Sequence, residues 1–149
     1  MASDVGTNRR MAWVVVIFAV LGLAVSLYLT WIKLANATVA CAGVGNCEAV
    51  NNSSYSTLAG IPIALLGAAA YLTILGLMAL EALRPGSAEV ARLASFGTAL
   101  AGTLYSAYLT YIELFVLHEV CPYCVISAVC VTIIFILSAL RLRGITAQA

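Results

Sequence analysis

Four long apolar runs divide this chain, with polar residues gathered between them. They cover about residues 11–32, 61–80, 93–112 and 121–140. Each is close to the roughly 20 residues a helix needs to cross about 30 Å of hydrocarbon. Trp13 and Trp31 stand near the ends of the first run, where indole rings anchor at a membrane surface. The connections are short enough for antiparallel neighbours, apart from a longer one over residues 33–60. The pattern predicts an all-α fold, a four-helix membrane bundle, in a single domain over 1–149.

Composition narrows the class further. Of 149 residues, 64% are hydrophobic and 9% charged, against roughly 45–50% and 25% in soluble domains. The mean hydropathy is +1.08. Seven basic and six acidic residues cannot cover the surface of a soluble protein this small. A net charge of +1 offers no field for a phosphate backbone, so a nucleic-acid binder is excluded along with a soluble enzyme and a disordered chain.

The basic residues set the orientation. Arg9 and Arg10 precede the first span, Arg84 and Arg92 lie between the second and third, and Arg141 and Arg143 follow the fourth. Only Lys33 falls on the other side. The positive-inside rule therefore puts both termini in the cytoplasm, and residues 33–60 and 113–120 outside it. The first run is too long for a typical signal-peptide core, and no clear cleavage site follows it closely. The residues Val39-Ala40-Cys41 resemble a lipoprotein cleavage site only faintly and lie too far along the chain. Residues 81–92, with Pro85-Gly86, read as a plain turn.

Four of the five cysteines, Cys41, Cys47, Cys121 and Cys124, fall in or beside the two outward segments, where disulfides form and persist. Cys121-Pro122-Tyr123-Cys124 opens the fourth helix. Proline suits the first helical position, which leaves Cys121 beside free N–H groups and the positive end of the helix dipole. Such surroundings lower a thiol pKa and make the sulfur reactive. Cys124 lies on the same face, about 4.5 Å deeper. One sulfur can meet a partner in water while the other meets something dissolved in lipid.

A C-x-x-C pair can also be half a zinc site or an inert staple. Zinc would need two further ligands from Cys41, Cys47 and His118. The six-residue spacing of the loop pair is looser than a zinc knuckle, so no metal site is expected. In Cys41-Ala-Gly-Val-Gly-Asn-Cys47, Gly43 and Gly45 let the loop close a disulfide or swing. A mobile pair beside a helix-capped pair forms a relay, in which a thiolate of one attacks the disulfide of the other. Cys130 reads as a small buried hydrophobe. His118 reads as an interfacial polar residue, and Glu113 and Glu119 as solvated loop charges. Tyr105, Tyr108 and Tyr111 read as packing or interface anchors that could also wall a flat ligand.

Taken in order, these features resemble the vitamin K epoxide reductase family. The resemblance rests on the loop cysteines, the serine-containing segment after them, Gly60-Ile61-Pro62-Ile63-Ala64 with Gly67 and Tyr71, and C-x-x-C at the head of the fourth helix. Cys41-Ala-Gly-Val-Gly-Asn-Cys47-Glu-Ala-Val is closest to the bacterial branch, and the likeness spans roughly residues 10–142. It implies a quinone of ubiquinone or menaquinone type as electron acceptor, held at the outer end of the bundle. It implies Cys121 and Cys124 as the redox centre, with Cys124 nearer the quinone, and Cys41 and Cys47 as the shuttle. Cys47 would exchange with Cys121. The family's serine falls on Ser53, and residues 47–55 would form a cap over the pocket. Many bacterial relatives carry a fused thioredoxin-like domain. None is recognised here, so a separate thioredoxin-fold (DsbA-like) protein is expected as partner. Animal members carry a tyrosine where this chain has Ala128, so a quinone is expected rather than vitamin K epoxide.

The expected function is a quinone-dependent thiol oxidoreductase of the bacterial inner membrane, with its redox cysteines on the outer face. Another four-helix class of quinone-linked thiol oxidase, the DsbB type, carries its C-x-x-C in the first outer loop, unlike this chain. The alternatives are a non-catalytic membrane protein with structural outer disulfides, or a small transporter subunit. A transporter usually keeps an ionisable group in mid-membrane, and none stands in these runs away from their ends.

Overall fold

The computed structural model describes residues 2–41, 43 and 45–146; Ala42 and Val44 of the cysteine loop lie outside the described residues. Long helices occupy all four apolar runs: α1 (Ala2–Ala35), α3 (Ile63–Leu83), α4 (Ala88–Ile112) and α5 (Pro122–Thr146). The segments long and apolar enough to cross a membrane are Gly6–Ala35, Ile63–Leu83, Pro85–Leu117 and Pro122–Gly144. Each helix packs beside two neighbours, in the ring order α1, α3, α4, α5. Small residues at the seams, among them Ala19, Ala68, Ala91 and Ala99, are buried and let the backbones approach. Large apolar side chains such as Trp13, Ile17, Trp31 and Leu104 point outward. That inversion of a soluble fold suits a lipid surround, where an outward leucine loses nothing.

The polar turn expected at residues 81–92 contracts to Arg84 and a tight helical turn, Pro85–Ser87, because α3 and α4 run past their apolar limits. All six arginines sit at this end of the bundle, and Lys33 sits at the other with the cysteines. At the arginine end, Glu81 accepts from Arg141 Nη2 at 2.6 Å and from Arg92 Nε at 2.7 Å. Arg141 Nε also donates to Asn8 Oδ1 at 3.0 Å. One knot therefore ties all four long helices.

The core proper gathers Val15, Ala19, Ile74, Met78, Ala99, Cys130, Val131 and Ile134 around Tyr71. Cys130 is thus the buried hydrophobe expected of it. The Tyr71 hydroxyl crosses from α3 to the diagonal helix α5, donating to the Ser127 carbonyl at 2.7 Å. A side chain at Gly22 of α1 would run into the Tyr71 ring. Gly22→Ala should therefore cost roughly 1–3 kcal/mol, the usual penalty for overfilling a packed core. Unfolding in detergent would read this, and an unchanged midpoint would show that the ring moves freely.

Between α1 and α3 the chain folds back over the bundle. Helix α2 (Cys47–Asn51) is followed by a tight turn, Ser54–Ser56, and a two-stranded hairpin, β1 (Thr57–Leu58) against β2 (Ile61–Pro62). Asn46 caps α2 by accepting from the Ala49 N–H at 3.1 Å. The Lys33 ammonium, at the end of α1, bonds the Asn51 carbonyl and the Ser56 hydroxyl, fastening this cap to the bundle.

Candidate active site

The cap encloses a cavity of about 420 Å³ in the cysteine half of the bundle. Its walls come from all four long helices and its roof from the cap, with Val50, Ser53, Tyr55 and Leu58 facing in. Tyr71 and Ile74 line its depth, and Cys124, Ser127 and Ala128 line the α5 side. Most of the lining is apolar, with a few hydroxyl groups set into it. A largely preformed apolar pocket with sparse polar contacts suits a flat, lipid-soluble molecule. Of the three tyrosines on α4, Tyr105 lines the cavity, whereas Tyr108 and Tyr111 are exposed on the lipid side.

Four cysteines meet at the rim. Cys41 and Cys47 are joined in a disulfide, while Cys121, Cys124 and Cys130 are free thiols. Cys121 immediately precedes α5, with Pro122 in the first helical position. Its carbonyl accepts the first intrahelical bond, from the Val125 N–H at 3.1 Å. Cys121 is fully buried, and it packs in one cluster with Cys47 and Val50, flanked by Cys41, Tyr123 and Cys124. Cys124, one turn deeper, is the cysteine that lines the cavity. The Cys121 thiol is held below its ordinary value, chiefly by the hydrogen bond from Cys124, against the opposing effect of burial. A thiolate is the nucleophile in disulfide exchange, so Cys121 is the sulfur prepared to react.

Backbone contacts hold the loop pair against this helix mouth. The Asn46 N–H donates to the Val120 carbonyl at 3.2 Å, and the Tyr123 hydroxyl to the Ala40 carbonyl at 3.1 Å. Gly45 has φ +77°, and a side chain there would collide with the Val120 carbonyl. Glycine meets both demands, a left-handed backbone and a close approach. Ser53 lies in the cavity roof, and its hydroxyl donates to the Val50 carbonyl at 2.8 Å.

One expectation fails. Glu113 is not a solvated loop charge but is buried, with 4% of its surface exposed. Helix α4 does not stop at Ile112; it widens into a π turn, Glu113–Leu117, which His118 closes in the left-handed conformation at φ +53°. This turn aims Glu113 inward while Leu114, Phe115 and Val116 face outward. Its Oε2 accepts the Cys121 N–H at 3.2 Å, and it lines the cavity together with Cys124. The run Ile112-Glu113-Leu114-Phe115-Val116-Leu117 carried a signal, since one acid among five apolar residues is a poor loop composition. His118 is exposed and Glu119 partly exposed, as expected for the segment beyond.

A model of the vitamin K epoxide reductase family matches residues 13–139, most of the chain. The chain belongs to that family. Membership makes it a membrane oxidoreductase of the thiol–disulfide class. Vitamin K epoxide reductase relatives generally use a quinone and typically work with a thioredoxin-like partner.

Proposed function

We propose that this protein is a quinone-dependent thiol oxidase, which re-oxidises a thioredoxin-fold carrier so that disulfides can form in proteins outside the cytoplasm. The observation that carries this reading is the burial of Cys47 and Cys121 in one cluster, with Cys124 opening onto a separate apolar cavity. A thiolate of the reduced carrier attacks the Cys41–Cys47 disulfide. The released Cys47 thiolate attacks Cys121 in the Cys121–Cys124 disulfide, and Cys124 leaves as a thiolate facing the cavity, where it takes up a proton from water. The carrier's second thiolate breaks its bond to Cys41 and leaves as the carrier disulfide, and the freed Cys41 thiolate then closes on Cys47 and displaces Cys121. A bound quinone supplies a two-electron sink, and the protein supplies orientation and a dry wall.

The fit to a quinone rests on the cavity. Its volume is ordinary for a small-molecule pocket, its walls are mostly apolar, and Ser53, Tyr105, Ser106 and Ser127 offer hydroxyls for ring oxygens. Ala128 adds no hydroxyl to the α5 wall, which favours a quinone over an epoxide as substrate. The six arginines at the opposite end support a cytoplasmic face there. We place the cysteine end outside, in a bacterial inner membrane.

Trapping tests the relay. Variants lacking Cys41 or Cys124 should accumulate a Cys47–Cys121 mixed disulfide, visible as a new linked peptide in non-reducing digests. An inert staple would show none, and that result would overturn the relay.

A further inference from the structure

Glu113 has no part in the relay, yet it sits against the Cys121–Cys124 pair. It lines the same cavity as Cys124 and accepts the Cys121 N–H at 3.2 Å, which sets its carboxyl at the head of the C-x-x-C turn. The titratable residues set against it are Cys121 and Cys124. Among the described residues, the acid that finds cationic partners is Glu81, not Glu113. A buried carboxyl without a counter-charge is costly. A neutral amide in the same place could accept one backbone N–H without that cost. The carboxyl has something to do that an amide cannot.

We propose that Glu113 is the proton acceptor for the Cys121–Cys124 dithiol, and that it passes the proton on to the quinone in the cavity. The proposal rests on the quinone-linked reading above. Closing the dithiol breaks two S–H bonds, forms one S–S bond and releases two electrons and two protons. Cys121 enters this step as the thiolate displaced from Cys47, the matching proton having gone to water from the carrier's dithiol. The Cys124 proton moves to the Glu113 carboxylate as the Cys121 thiolate closes on the Cys124 sulfur. The electron pair and that proton reach the quinone, and a second proton from water completes the quinol. Glu113 is then ionised again.

Glu113→Gln separates this role from a structural one. Glutamine keeps the volume and a carbonyl oxygen for the Cys121 N–H, but it cannot take a proton. With dithiothreitol-reduced protein and menadione, the variant should turn over roughly a hundredfold slower or worse, within the usual range of general acid–base effects. Glu113→Asp should recover part of the rate. A second arm uses no quinone: closure of the Cys121–Cys124 bond by saturating diamide, quenched by alkylation and read by peptide mass. At saturation the rate no longer depends on reagent and waits for Cys124 to lose its proton, so the glutamine variant should lag at least roughly tenfold. Wild-type closure in the diamide arm would overturn the proton-acceptor role, and wild-type menadione turnover would overturn the hand-off. Wild-type protein that closes with diamide but leaves menadione oxidised would sink the quinone reading alone, with the diamide arm still deciding on Glu113.

Discussion

Cys124→Ala should abolish quinone reduction and leave the bundle folded. Cys124 is the cysteine that lines the cavity, so its loss leaves the pocket without a donor while the Cys121–Cys47 contact remains. The remaining sulfurs do not substitute for it. Cys121 is sealed in the rim cluster, and Cys130 is 1% exposed within the core, apart from the cavity lining. The rate should drop to the uncatalysed background with menadione as acceptor. Trimming one partly buried thiol should cost no more than about 1 kcal/mol of stability, typical of single substitutions. Cys130→Ala is the matched control, altering the same helix with turnover retained. Normal turnover in the Cys124 variant would refute the assignment of the redox centre.

The largest effect on stability should come from the opposite end. Glu81→Ala strips the carboxylate from Arg141, whose surface is only 4% exposed. Breaking a buried pair by removing one partner typically costs about 3–5 kcal/mol, because a charge is left without compensation. Arg92, more exposed, can turn to water. Replacing both members, Glu81→Leu with Arg141→Met, should restore much of the loss, since an apolar pair of similar size carries no desolvation penalty. Unfolding midpoints in detergent would show the single variant low and the double variant near wild type. Equal losses in the two would mean that the knot acts through shape rather than charge.

The fold was legible because a bilayer leaves few choices: about 20 apolar residues and a helix. The apolar runs marked the helices, although the helices overrun them at both ends, as α1 does from Ala2 to Ala35. Cysteine spacing and the charge count together bring the two sulfur pairs to one end of the bundle. Proline at 122 placed Cys121 at a helix mouth. Two features escaped for a common reason. Glu113 and the Glu81–Arg141 pair stand at the edges of apolar runs, where a charge reads by default as solvated. Burial there depends on local winding and on a partner 60 residues away, and neither is written in a hydropathy pattern. The π turn that buries Glu113 adds to the tendency of such turns to occur at functional sites.

Beneath the cavity the helices close on Val15, Ala19, Tyr71, Ile74, Ala99, Val131 and Ile134. Tyr71 and the Cys130 thiol are the titratable groups in that plug, and the Tyr71 hydroxyl is bonded to Ser127 on the cavity side. In the proposed cycle, electrons and protons then come and go through one face of the bilayer. A cycle of that kind displaces no charge through the membrane's thickness. Transmembrane voltage, worth about 2.3 kcal/mol per unit charge at 100 mV, would neither drive nor retard it.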